Sequence, residues 1–246
     1  MARPGEFTYY ERIGEAGRQH AILKPFSDAD CGLYLMRVGA LFSLLPPPPR
    51  RILECGCGTG WLAYFLAQRG YNVVAADVAG DAIALAKANP TFRLGPSPEF
   101  VVADSELLPF ESEFDVVVFF DSLHHAVDES AALRCAYRAL RPGGVCIVLE
   151  PGRGHKEKAK DIDAEFDVTD KDMQPSHVWR IGRGVGFSRW EAFPAPQHLG
   201  KALYAQGRLS GWRATLLAFQ AVRHVAVQGI MFWRKWYCGI AVLYKN

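Results

Sequence analysis

The sequence contains no run of 18 uninterrupted apolar residues, and Met1 to Tyr10 hold no apolar core of the export-signal kind. These absences argue against a membrane span and a secretory route, and they predict a cytoplasmic protein. Cysteine is scarce: the six at 31, 55, 57, 135, 146 and 238 form no Cys-x-x-Cys pair and no finger-like Cys/His spacing. A disulfide framework is therefore not expected. The 15 prolines and 23 glycines follow no fixed period, which excludes collagen and repeat arrays. With 50% apolar and 22% charged residues in 246, the chain has the composition of a globular protein with a substantial core. One further absence is local. No acidic residue occurs from Ala192 to the end, where seven basic residues lie, so residues 1–191 carry 21 basic against 26 acidic side chains. Such asymmetry raises the prior for a surface that meets an anionic partner.

The first 45 residues read as helical. Asp30 is placed to cap a segment in which Leu33, Met36, Val38, Leu41, Leu44 and Leu45 recur mostly three or four apart. Pro46 to Pro49 then end it as a stiff spacer. A regular alternation follows: a strand at Arg51–Cys55, a helix at Trp61–Gln68, a strand at Asn72–Ala76 and a helix around Ala82–Ala88. Strands at Glu99–Ala103 and Asp115–Phe120 come next, then a helix at Glu129–Leu140 with Asp128 as its cap. Pro142-Gly143-Gly144 turns the chain into a strand at Val145–Leu149. Short β-branched runs alternating with helices predict an α/β fold with a doubly wound, mostly parallel sheet. Ligands of such sheets bind beyond the carboxyl ends of the strands.

Glu54-Cys55-Gly56-Cys57-Gly58-Thr59-Gly60 stands directly after the first strand and directly before a helix. Three glycines in five residues allow a tight turn and a close ligand approach, and the helix start adds free amides. The acid two residues before the first glycine disfavours a pyrophosphate and suits a ligand with a cationic amino group. Cys55 and Cys57 are expected to be small apolar fillers rather than metal ligands.

This segment resembles motif I, [D/E]-x-G-x-G-x-G, of the class I S-adenosylmethionine-dependent methyltransferases. The rest of that family's series follows in order over roughly residues 50–150. Asp77 closes the second strand at the ribose-binding position, and Ala103-Asp104-Ser105 closes the third at the adenine position. Phe114-Asp115 through Asp121 resembles the fourth-strand motif, and Leu140-Arg141-Pro142-Gly143-Gly144 the turn before the fifth strand. The resemblance implies a seven-stranded Rossmann-like sheet and an S-adenosylmethionine site formed by Glu54, Gly56, Cys57, Gly58, Gly60, Asp77, Val78, Asp104, Ser105 and Asp121. It implies one class I methyltransferase domain over residues 1–246: a helical cover at 1–49, a cofactor-binding core at 50–150, and substrate-side insertions with the last strands at 151–246.

His124 and His125, just past the fourth strand, lie where this family places substrate-facing groups, and either imidazole is a candidate general base with Asp121 to orient it. Glu150, with His124, His125 and His155, is an alternative set of divalent-metal ligands, although no bound metal is the expectation. The charged stretch 152–173 reads as a loop serving as lid or solvated surface. A helix leading to strand six is expected at Val178–Phe187, that strand near Ser188–Phe193, and a final antiparallel strand at Cys238–Tyr244. Between them, 197–236 carries a narrow polar stripe at Arg213, Gln220, His224, Gln228 and Lys235 on an otherwise apolar helix. That arm reads as internal packing or a homodimer interface, with contact to a membrane surface as the alternative.

The strand-four end, Asp121-Ser122-Leu123-His124, has no Asn/Asp-Pro-Pro-Tyr/Phe motif, so oxygen is the favoured methyl acceptor. The core's negative charge speaks against nucleic acid. The expected activity is O-methylation of a small molecule, a sugar or other hydroxylated metabolite. The alternatives are a lipid or quinone methyltransferase at a membrane and a non-catalytic cofactor-binding module.

Overall fold

The computed structural model describes residues 2–89, 91, 95–196, 225, 229 and 239–246. Five strands run parallel: β1 (Arg51–Cys55), β2 (Asn72–Asp77), β3 (Glu99–Val102), β4 (Phe114–Phe120) and β5 (Leu140–Leu149). Their crossovers carry helices α5 (Trp61–Gln68), α6 (Gly80–Ala88) and α7 (Glu129–Ala139). Two more strands, β6 (Arg189–Pro194) and β7 (Gly239–Tyr244), complete a seven-stranded sheet in the order β3-β2-β1-β4-β5-β7-β6.

This sheet is mixed, which corrects the expectation of a mostly parallel one. β7 slots between β5 and β6 and pairs antiparallel with both, Val145 opposite Tyr244 and Arg189 opposite the same residue. An antiparallel insertion needs no covering crossover helix, so it can enter beside an otherwise parallel set.

Helices on both faces explain the continuous apolar stretches of the central strands, such as Val116 to Phe120 in β4. Along β4, Val116, Val118 and Phe120 face one core with Leu62, Tyr64 and Leu66 of α5, while Phe114, Val117 and Phe119 face the other with Leu133 and Ala136 of α7. Asp128 caps α7 as its sequence position suggests, accepting from the N–H groups of Ser130 and Ala131. The Pro142-Gly143-Gly144 turn is taken up inside β5 as a register shift: Phe114 pairs with Leu140, and Val116 already with Val145.

The N-terminal region is helical: α1 (Pro4–Phe7), α2 (Tyr9–Arg12), α3 (Gly14–Ile22) and α4 (Cys31–Leu44). Asp30 precedes α4, but its side chain makes no capping hydrogen bond. The stretch expected to be a loop forms α8 (His155–Phe166), followed by α9 (Pro175–Val185). α8 is polar nearly all round, so no apolar stripe announces it; the Glu157–Lys160 pair at 2.8 Å is one of its own surface contacts. The proposed arm at 197–236 lies outside the described residues apart from Val225 and Gly229, and so does Cys238. Among the described residues no helix is long and apolar enough to cross a membrane.

Candidate active site

The carboxyl ends of β1 to β4 open into a cavity of about 590 Å³. Its floor on one side is the glycine loop after β1. Gly56 takes φ +72°, and a Cβ there would lie 2.4 Å from Cβ of Ser122. Gly58 takes φ +51° and would press on the Tyr10 hydroxyl at 2.6 Å. Both positions therefore require glycine for backbone shape and for space. The loop is tied to β2, because Ala76 O accepts from the N–H groups of Gly56 and Cys57.

Asp77, at the end of β2, accepts from Gly58 N–H at 2.7 Å and from Ala79 N–H at 2.9 Å. Burial holds its carboxyl above the usual range against the pull of these donors. Asp104, after β3, accepts from Glu106 N–H and Ala2 N–H, both at 2.9 Å. Val78 and Ser105 complete this wall. Glu54 is 3% exposed and lies off the cavity wall, with Oε2 making no hydrogen bond. Burial, helped by the charge of Asp77, pushes its carboxyl up to about 8.

Residues 2–12 lie over the cavity as a strap. Ala2 reaches Asp104, and Glu11 N–H donates to Asp81 at 2.8 Å. On the other side Glu6 accepts from Thr169 N–H at 2.9 Å, and the Arg12 guanidinium donates to the carbonyls of Glu165 and Phe166 at the end of α8. From α4, Arg37 makes a bidentate pair with Asp121, both contacts at 2.5 Å. That pairing holds the Asp121 carboxyl below its ordinary range despite burial.

At the opposite wall His124 is buried between two carboxylates. Its Nδ1 is 2.5 Å from Glu150 Oε2 and its Nε2 is 3.2 Å from Asp170 Oδ1. Burial works against the imidazolium, but these acids outweigh it and push His124 up to about 10. His155 Nε2 meets the same Asp170 oxygen at 2.8 Å. His125 differs. Its Nδ1–H donates to the Thr169 carbonyl at 2.8 Å, which leaves Nε2 as the accepting nitrogen. Its side chain keeps 39% of its surface open, and partial loss of solvation together with the neighbouring His124 holds it below the ordinary imidazole range.

A methyltransferase-domain family model matches residues 53–148. The demethylmenaquinone methyltransferase of Thermus thermophilus is 34% identical over 174 residues, covering 66% of this chain and 76% of that protein. The chain belongs to the class I S-adenosylmethionine-dependent methyltransferases. The ubiquinone biosynthesis O-methyltransferase of Hydrogenovibrio crunogenus is 26% identical over 190 residues, covering 73% of this chain and 74% of that one. In fold, the methyltransferase is similar to phosphoethanolamine N-methyltransferase 2 of Haemonchus contortus in complex with S-adenosyl-L-methionine. The TM-score there is 0.65 at 19% identity, covering 98% of this chain and 60% of that one. It is similar to the same degree, TM-score 0.65 at 13% identity with 98% of both chains covered, to the methyltransferase bound to the Trm112 activator of Haloferax volcanii.

The residues fit a cofactor of this kind. The glycine cradle has no room for a Cβ, and a buried Glu54 oxygen stands without a partner in reach of a cation's field. Of the ten residues expected around the cofactor, Gly56, Gly58, Asp77, Val78, Asp104, Ser105 and Asp121 line the methyltransferase cavity. Glu54, Cys57 and Gly60 do not. Cys57 belongs to the core, and Gly60 packs against Phe100. Asp121 does not orient a histidine as expected, because Arg37 occupies it; Glu150 does so instead. Arg37, Asp170 and Glu6 were not legible as site residues. Arg37 carried a usable signal, as the sole charged residue within α4. Asp170 and Glu6 sit among other acids of ordinary spacing and carried none.

Proposed function

We propose that this methyltransferase acts on a hydroxyl oxygen of a compact, hydroxylated small molecule, with His125 as general base. The observation that carries the reading is that one cavity joins the glycine loop to an imidazole whose Nδ1–H is tied to Thr169 O, so that Nε2 is the basic nitrogen. His124 is unsuited to the task, since two acids keep it a cation.

Bound S-adenosylmethionine supplies an electrophilic sulfonium methyl group. Asp77 and Asp104 would hold the nucleoside end through their carboxylates, beside the Gly56–Gly58 backbone that leaves no room for a Cβ. Glu54 lies off the wall, and the ammonium of a bound cofactor would favour its ionised form. His125 takes the acceptor's hydroxyl proton at Nε2, and the remaining polar wall orients the acceptor for in-line attack. A cavity of about 590 Å³ suits a cofactor with a small acceptor. The named relatives favour a quinone-type ring over a sugar.

The test uses labelled S-adenosylmethionine against short-chain hydroxyquinols and hydroxylated sugars, with and without liposomes. The expected product carries the label on oxygen, and His125→Gln loses turnover with cofactor affinity intact. Label on nitrogen or carbon, or full turnover in that variant, would overturn the reading.

A further inference from the structure

Beside the base, three side chains converge from separate segments: His124 after β4, His155 at the start of α8, and Asp170 beyond the end of α8. His155 Nε2 and His124 Nε2 lie 2.8 and 3.2 Å from the same oxygen, Oδ1 of Asp170. The two rings stand at 82° with centroids 4.8 Å apart, so they approach that oxygen from different directions. His124, His125 and Asp170 present ligand atoms all within 4.8 Å of one another. Imidazole and carboxylate ligands of a transition ion sit about 2.0–2.2 Å from it and so roughly 3–3.5 Å apart. The two contacts to Asp170, at 2.8 and 3.2 Å, need to open by only a few tenths of an ångström to match that spacing.

The neighbours of this cluster are arranged as a ligand's supports are. Glu150 Oε2 binds Nδ1 of His124 and thereby turns Nε2 toward Asp170. Its Oε1 is fixed in turn by the N–H groups of Leu123 at 2.8 Å and Ser122 at 3.2 Å. A carboxylate behind a histidine, itself held by backbone donors, is the arrangement that sets ring orientation at metal centres. His124, Glu150 and Asp170 are buried together at 3–7% exposure, a costly group of polar side chains.

We propose that His124, His155 and Asp170 bind a divalent transition-metal ion, with Glu150 orienting His124 from behind and His125 standing on the cavity side. A divalent ion would take the place of the proton on His124 Nε2, and a set of nitrogen ligands with one carboxylate selects an ion such as zinc or cobalt over calcium. The presence of the ion stands apart from the methyl-transfer reading; its use rests on that reading. The ion would acidify an acceptor hydroxyl held beside it, and His125 Nε2 would take that proton. The oxygen lone pair then forms the new bond to the methyl carbon, and the carbon–sulfur electron pair leaves with sulfur.

The test titrates Zn²⁺ and Co²⁺ into the chelator-treated full chain by calorimetry, without cofactor, so that its outcome is independent of turnover. One ion per chain is expected. Asp170→Asn and His155→Gln should each weaken binding at least tenfold, and Glu150→Gln by about 10–100-fold. His177→Gln, outside the cluster, should bind as the parent does. Circular dichroism reports whether each variant folds, and the visible absorption of Co²⁺ in the parent chain provides a readout that needs no variant. Absence of both binding heat and a ligand-field spectrum, or equal binding in the folded Asp170→Asn and His155→Gln chains, overturns the proposal. If ions bind as expected but His125→Gln turns over normally, the metal site stands and the assigned base falls.

Discussion

Around the glycine loop the cavity wall is made by three strand ends, at Cys55, Asp77 and Ala103, and the few residues directly after each. Around the histidines it is made by single side chains from five segments, Glu6, Arg37, His124, His155 and Asp170, with Glu150 behind His124. The first half is held mainly by backbone, as in the donors from Gly58 and Ala79 to Asp77. The second is held mainly by charge between side chains far apart in sequence. Backbone architecture fixes where a cofactor lies and tolerates change around it, whereas a side-chain network is altered by any one of its members.

If the halves are separable, damage to one should leave the other measurable. The largest effect is expected for His125→Gln, whose turnover should fall about 10²–10⁴-fold while calorimetry shows unchanged affinity for S-adenosylhomocysteine. Loss of both would mean that the two halves are one unit.

Glu54 probes the cofactor half through pH. Its carboxyl sits at about 8 in the folded protein against an ordinary 4.5. The folded state therefore keeps a proton that the unfolded chain releases, and stability declines as pH rises from 4.5 toward 8. Glu54→Gln should remove this decline, making the ligand-free variant the more stable by about 3–5 kcal/mol at pH 8–9 and near parity below pH 4.5. Urea unfolding across that range checks the sign.

In the acceptor half, Arg37→Met strands the Asp121 carboxylate. A cost of about 2–4 kcal/mol is expected, at the lower end because the Asp121 side chain keeps 23% of its surface open. Adding Asp121→Asn should recover part of that loss in a double-mutant cycle. The smallest effect is expected for Asp77→Ala, a drop of about tenfold or more in cofactor affinity, equivalent to about 1.5–3 kcal/mol. Its acceptor KM should be unmoved.

The same contrast explains what could be read in advance. β1, α5 and the Glu54–Gly60 loop, with the acids at 77 and 104, are visible because their roles follow from neighbours within a few residues. α8 escaped because its stripe is polar, and the place of the antiparallel β7 between β5 and β6 escaped because its partners are decided by contacts nearly 100 residues distant. The histidine pair was legible as a pair. Which ring would be the cation depended on Glu150 and Asp170, whose approach only the folded chain determines.

Gly5 packs so tightly that a Cβ there would fall 1.8 Å from the carbonyl oxygen of Phe166 and 2.4 Å from that of Asp167. The strap is thereby seated on the end of α8, while its residue Ala2 holds Asp104. A single segment thus grips both ends of the cavity, and any outward swing disturbs the two pockets together. By linkage, whatever factor the cofactor adds to acceptor affinity through this segment, the acceptor returns equally to the cofactor.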